Sequence, residues 1–375
     1  MRNSTTNRRS LLKQGALALT AAALPLASSL PRPVMAAQEQ TRTLARVNVA
    51  SNRIIRQVTG LRPFRPSGFV VKAEPLGEKT VIHNYGHGGC GVTLSWGTAD
   101  LATTLALQSR HRQAAIIGCG AVGLATARLL QDRGFQVTIY TKDLPLETVS
   151  NVAGALFAPT FIVDAAHQRG PIVERLHHAT RFAFRYFQNF VGEKYGVRWL
   201  ETFLIGDEPQ QAPWDFEIMP DVFPLTAYPP GEHPFPRKHA SSVKTMMIQP
   251  TLYLPQLLED FLQRGGKLQV RNFESRTALA QLKQPLVFNC TGLGARELFA
   301  DRELIPVKGQ LTLLLPQPEI NYAYVDGRRD LYMFPRQDLI VLGGSHEEGV
   351  WSTNVEPAID EKVLAGHQQI SRQML

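Results

Sequence analysis

The stretch Gln113-Ala114-Ala115-Ile116-Ile117-Gly118-Cys119-Gly120-Ala121-Val122-Gly123 leaves this chain few options. A short apolar run reads as a buried strand, and three glycines follow in the order Gly-x-Gly-x-x-Gly. Leu124 to Leu130 then has helical apolar spacing. Gly134 stops that helix, and Phe135-Gln136-Val137-Thr138-Ile139-Tyr140 reads as a second strand. The unit is βαβ. Its glycines provide a tight turn, a close approach of backbone to phosphate and close helix–strand packing, with a dinucleotide pyrophosphate expected on the helix N-terminus. Gly118, Gly120, Ala121, Val122 and Gly123 are therefore candidate phosphate contacts. An acid that binds ribose is expected where the second strand ends, but Tyr140-Thr141-Lys142 stands there and Asp143 comes late. Lys142 and Asp143 together suit the adenosine end, a cation for phosphate and a carboxylate for hydroxyls.

A second glycine device precedes this one. In Val81-Ile82-His83-Asn84-Tyr85-Gly86-His87-Gly88-Gly89-Cys90-Gly91, four glycines fall within six positions, so a ligand can approach the backbone without meeting a Cβ. His83 and His87 have the spacing of two metal ligands on one helical turn, but the glycines between and after them disfavour a helix there, and no metal is assigned. From Val92 the sequence can begin a helix, aiming its N–H groups and positive dipole end at the loop. The ligand is expected to be anionic or to develop negative charge.

These segments resemble signatures of the D-amino-acid oxidase family of flavoproteins. Gly60-Leu61-Arg62-Pro63-Phe64-Arg65-Pro66 resembles the family's Arg-Pro segment, and it stands at the family's spacing before the His83 loop, joined by a strand-like Phe69-Val70-Val71 and a turn at Pro75 to Gly77. Ser150-Asn151-Val152-Ala153-Gly154-Ala155-Leu156 resembles the small-residue loop that passes the flavin. Leu286 to Gly292 resembles the segment beside the pyrophosphate, and Pro306 to Gln310, Leu331 to Pro335 and Leu342 to His346 are similar to further family stretches. The resemblance covers nearly everything after residue 43, though 161 to 250 only loosely. It implies FAD as cofactor, contacted by His83, Gly88, Gly91, Val92, Thr93, Ser150, Gly154, Ala155, Leu156, Phe273, Thr291 and Gly292 besides the residues above. It also implies Arg62 and Tyr332 on the substrate carboxylate and the Gly89 carbonyl on the amine.

The order of these segments is unusual. In the family the Gly-x-Gly-x-x-Gly turn opens the chain and the His-Asn-Tyr-Gly segment closes it, whereas here the closing segment comes first. The chain is expected to be a circular permutation, with residues 102 to 112 bridging the old ends and residues 47 to 59 following the helix that runs to Leu375. Termini that lie close together on a surface permit such a change. The expected fold is α/β. A Rossmann-like FAD-binding domain takes in 37–160 and 250–310, including the displaced 60–101, and a substrate domain with a large, mostly antiparallel sheet takes in 161–249 and 311–375, with 43–59.

Asn7-Arg8-Arg9-Ser10-Leu11-Leu12-Lys13 and the Ala/Leu-rich stretch to Leu30 have the layout of a secretory signal of twin-arginine type, with a cleavage site at Val34-Met35-Ala36. Residues 1–36 are read as that signal, implying periplasmic or secreted placement, with an uncleaved membrane anchor as the alternative. Five of the 40 Lys and Arg lie there with none of the 32 Asp and Glu, so the formal charge of +8 falls to +3 in the remainder. No basic cluster with interleaved aromatics is left, which argues against nucleic acid. Cys90, Cys119 and Cys290 read as small buried hydrophobes, not as a disulfide framework. Val173 to Tyr195 reads as a packed amphipathic helix, and its His177 and His178 carry no assigned role.

The resemblance implies oxidative deamination of D-amino acids to 2-oxo acids and ammonia by hydride transfer to flavin, with oxygen or a quinone as final acceptor. Acidic substrates stay open, since relatives that select them place Arg near the position of His346 and Arg328 and Arg329 are close in sequence. An NAD-dependent dehydrogenase and a non-catalytic periplasmic ligand-binding protein are the alternatives.

Overall fold

The computed structural model describes residues 43–209 and 212–375, so the signal-like segment 1–36 lies outside the described residues. Among the described residues two sheets form. The first is six-stranded, in the order β2 (Val70–Leu76), β3 (Lys79–Tyr85), β10 (Leu286–Asn289), β4 (Gln113–Ile117), β5 (Gln136–Thr141) and β9 (Lys267–Val270). All neighbours in it are parallel except β2 and β3. β4 and β10 at its centre are almost continuously apolar because helices and loops cover both faces. Pro75, read as the start of a turn, lies inside β2. That strand is at the sheet edge, where a missing N–H costs no ladder bond.

The second sheet is nine-stranded and mostly antiparallel. Its order is β1 (Ile54–Phe64), β11 (Ile305–Leu314), β14 (Ile340–Gly343), β13 (Leu331–Pro335), β12 (Tyr322–Asp326), β6 (Val197–Gly206), β8 (His239–Ile248) and β7 (Thr226–Tyr228), with β15 (Glu347–Glu348) also on β11. Only β12 and β6 run parallel. β1 lies wholly in this sheet, so residues 60–64 sit with 54–59 and not with the six-stranded sheet.

The helix Gly91–Leu107 is apolar nearly all round and is accordingly covered, by the helix Ala121–Asp132 on one side and the helix Pro171–Phe187 on the other. Gly97 makes the second crossing possible, since a Cβ there would stand 1.9 Å from the Ala179 carbonyl oxygen. The helix expected to reach Tyr195 ends at Phe187 and is followed by two 3₁₀ turns, Gln188–Phe190 and Glu193–Tyr195, the second set between Gly192 and Gly196 at positive φ.

Of the segment 47–59 expected to follow the C-terminal helix, only the part from Ile54 is a strand, and residues 43–50 are irregular. Side chains satisfy their backbone where a ladder would otherwise do so. Gln317 bonds both the N–H and the carbonyl of Asn48, Gln368 donates to the Val49 carbonyl and Ser371 to that of Val47. Leu44, Val47 and Val49 share an apolar cluster with Val363, Ile370 and Met374. The helix Pro357–Gln373 therefore packs on the segment that precedes β1.

Candidate active site

The glycine turn after β4 is built as its sequence demands. Gly118 takes φ +111°, and a Cβ on it would meet the Cys290 carbonyl oxygen at 2.5 Å. A Cβ on Gly123 would stand 2.1 Å from the Gly118 carbonyl oxygen, so only hydrogen lets the helix start so close to the turn. Helix Ala121–Asp132 has no side chain from its own N-cap, but Ser150 Oγ accepts from the Ala121 N–H at 3.1 Å. Ser150 thus joins the residues around this helix terminus. Thr291 donates to Asn289 Oδ1 and Gly292 takes φ +56°, placing the Leu286–Gly292 segment beside the same turn through Cys290. Lys142 and Asp143 form an exposed ion pair of 3.5 Å, and Phe273 is buried edge-on to Tyr140.

The His83 loop reaches this turn from the other side of β10. Asn84 Nδ2 donates to Thr126 Oγ1 on the glycine-turn helix, 3.1 Å away. Asn289 Nδ2 donates to His83 Nδ1 at 3.0 Å, which leaves the ring proton on Nε2 facing Glu74 Oε1 at 3.4 Å. Burial holds the His83 imidazole down at about 4 despite the opposing pull of Glu74, and burial alone holds His87 at about 3. Both rings are neutral in the fold. Because their unfolded values lie near 6.5, the unfolded chain takes up protons first as pH falls, and stability is lost from about 6.5 downward until the folded values are reached. Each such proton contributes a slope of at most about 1.4 kcal/mol per pH unit. Unfolding midpoints measured from pH 7 to 4 should fall, and His87→Gln should flatten that fall. An unchanged slope in the variant removes His87 from the effect.

Beyond Gly88–Cys90, a 3₁₀ turn, the helix Gly91–Leu107 starts with neither a side-chain cap nor an acid in its first turn, so the N–H groups of Gly91, Val92 and Thr93 are left for a ligand. Thr93 Oγ1 lies 3.3 Å from the carbonyls of Leu156 and Ala158. This ties the helix start to the Ser150–Ala158 loop, where Ala155 adopts φ +59°. Gly154 lies against Phe334, whose ring would be 2.9 Å from a Cβ there, and Arg336 donates to the Ala153 carbonyl.

Arg62 lies on the face of β1 shared with Gly60 and Phe64, because alternate residues of a strand point the same way. Its guanidinium donates to the Ser345 carbonyl at 3.2 Å and to the Tyr332 hydroxyl at 3.4 Å. Two glycines that sequence reasoning did not single out make this possible. A Cβ on Gly309 would meet Arg62 Nη2 at 2.5 Å, and one on Gly343 would meet the Tyr332 ring at 2.0 Å. The signal was present as Gly309 inside a strand and Gly343 at the end of one, since a glycine in a strand marks a place where something approaches the backbone closely. Gly89 closes the arrangement, with its Cβ position 3.7 Å from Arg62 Cδ. The structure thus brings Arg62, Tyr332 and Gly89 together, next to the start of the Gly91 helix. Arg65 is spent elsewhere, on Asp301 at 2.9 Å and on Glu303.

A dinucleotide suits this arrangement. Two helix N-termini open at the ends of β3 and β4, on either side of β10, and Gly88, Gly118 and Gly123 leave no room there for a Cβ. The family model described as DAO, FAD dependent oxidoreductase, matches residues 22–105 and 113–374. The D-amino-acid oxidase of Streptomyces coelicolor is 32% identical over 264 residues, covering 68% of this chain and 76% of that protein. The D-amino acid oxidase of Dugesia ryukyuensis is 29% identical over 272 residues, with the same coverage. Among solved structures, L-proline dehydrogenase from P. horikoshii superposes with a TM-score of 0.52 at 16% identity, over 70% of this chain and 77% of that one. Glycine oxidase from Bacillus cereus gives 0.51 at 16% identity, over 69% and 78%. At such identity the structural likeness speaks for the fold.

Proposed function

Because this chain belongs to the DAO family of FAD-dependent oxidoreductases, we propose that it oxidises D-amino acids to imino acids, which water converts to 2-oxo acids and ammonia. The observation that carries this reading is the Arg62–Tyr332 pair lying flat on the nine-stranded sheet beside Gly89. A guanidinium and a phenol hydroxyl side by side match a carboxylate, which accepts from both. Set there, the substrate's amine can donate to the Gly89 carbonyl. Cα is then fixed by two contacts, which is how positioning lowers the barrier without an acid or base. Bound FAD supplies the acceptor for the two electrons that leave Cα–H as hydride. The free N–H groups of Gly91, Val92 and Thr93 are placed to stabilise negative charge that develops on a ligand at the helix start.

The folded protein should be yellow and release non-covalent FAD on denaturation. Anaerobic mixing with a panel of D-amino acids should bleach the flavin. A colourless protein stabilised by NAD and not by FAD overturns the reading in favour of a nicotinamide dehydrogenase, and a yellow protein that no amino acid bleaches favours ligand binding without turnover. The same mixing followed by oxygen or a quinone identifies the acceptor.

The segment order supports a circular permutation. The family model matches in two pieces separated by residues 106–112, the end of the Gly91 helix and its link to β4, and the C-terminal helix packs on residues 44–49 before β1. The paired Arg8 and Arg9 support export of the folded, flavin-loaded protein by the twin-arginine route. An N-terminus near Ala37 in periplasmic protein tests that placement.

A further inference from the structure

Phe161 is a non-glycine residue at φ +58°, a conformation that costs free energy and persists where its surroundings over-determine it. Those surroundings are the substrate side of the site. Its carbonyl accepts from the Gly89 N–H at 3.3 Å and lies where a Cβ on Gly88 would be, 2.3 Å away, so Gly88 is needed for Phe161 as much as for a ligand. Its ring stacks on Phe64, centroids 4.7 Å apart, and meets the His346 ring at 5.0 Å. Phe64 shares the β1 face of Arg62, and His346 follows the Ser345 carbonyl that Arg62 bonds. The strained backbone thus holds an aromatic ring beside the carboxylate-binding pair.

We propose that Phe161 is a specificity-determining residue, the apolar wall against which the substrate's side chain packs. The inference rests on the proposed amino-acid oxidation and follows from the four substituents of Cα. The carboxylate goes to Arg62 and Tyr332, the amine to Gly89, and the hydrogen toward the Gly154–Leu156 loop that resembles the flavin-passing segment. The direction left for the side chain is bounded by Phe161 and His346. The side chains that could meet a carboxylate there already have partners. His346 Nδ1 is 2.8 Å from Asp330, while Arg328 and Arg329 pair with Glu208 and Asp207 on an exposed turn. The site therefore favours flat apolar side chains over carboxylates.

Phe161→Gly removes the ring and suits the positive φ, so it separates the wall from the backbone. In the flavin-loaded protein we expect kcat/KM for D-phenylalanine relative to D-alanine to fall about tenfold, the upper end of what an aromatic contact contributes. FAD content and the unfolding midpoint should hold, the midpoint rising if relief of the strained φ outweighs the lost stacking. Phe161→Leu, which keeps an apolar wall, should lower the ratio less. Equal losses for both substrates overturn the proposal, as does a rise in the ratio, which would make the ring a barrier. Native protein that turns over D-aspartate faster than D-phenylalanine also overturns it. Native protein inactive on every D-amino acid would instead overturn the broader assignment.

Discussion

Arg62→Ala should lower kcat/KM for a D-amino acid by about 3 kcal/mol or more, over a hundredfold, while FAD content stays near native. The size follows from what is removed. A carboxylate drawn out of water onto a guanidinium and a phenol loses its charged partner and is left with Tyr332 alone. The half-buried arginine also fills the space left by Gly309, so the variant leaves a gap that water enters and the loss is not recovered by collapse. Arg62→Lys should restore little, because an ammonium cannot reach both Ser345 and Tyr332 as the planar fork does. Arg65→Ala is the control. Its guanidinium bridges Asp301 and Glu303, so its loss should show in the unfolding midpoint and not in turnover. Near-native turnover in Arg62→Ala would remove that residue from the site, and equal loss in both variants would show that the wrong arginine had been assigned.

What the sequence reveals of this molecule divides by range. The Gly118 turn, the Gly91 helix and β5 depend on local rules, strand period, glycine conformations and helix starts, and the structure has them where those rules place them. Residues 43–50 defeat the same rules. Val47 and Val49 alternate with polar neighbours as a strand would, yet their backbone is bonded by Gln317, Gln368 and Ser371, residues more than 260 positions away, which no local pattern encodes. The site divides in the same way. Arg62 and Tyr332 are legible through motifs, but Gly309 matters only once β11 is known to pair with β1, about 250 residues away, and Gly343 only once β14 is known to set it opposite Tyr332 of β13. Phe161 carries no signal at all, since a positive φ on phenylalanine is imposed by the Gly88 and Gly89 backbone, not chosen by the residue.

The cofactor turn yields the second large effect. Gly123→Ala places a Cβ 2.1 Å from the Gly118 carbonyl oxygen, a backbone atom that cannot rotate away as a side chain would. Relief requires the helix Ala121–Asp132 to move off β4 or the turn to open. Either shift draws the helix N-terminus away from the pyrophosphate that, in the proposed reading, it holds. Overpacking of this kind costs up to about 3 kcal/mol, which in FAD affinity is up to roughly a hundredfold. The variant should therefore purify largely colourless and regain colour and activity only at high added FAD. Its far-ultraviolet circular dichroism should stay near native, because a shift of the helix against β4 does not unwind it. Gly134→Ala separates the effect from the loss of a glycine outside the turn. Gly134 sits at φ +79° with nothing within 4 Å of its Cβ position, so that variant should be less stable but fully yellow. If Gly123→Ala instead keeps its FAD through dialysis, the turn does not bind the pyrophosphate, and the cofactor must be held by the Gly91 helix and the Ser150 loop alone.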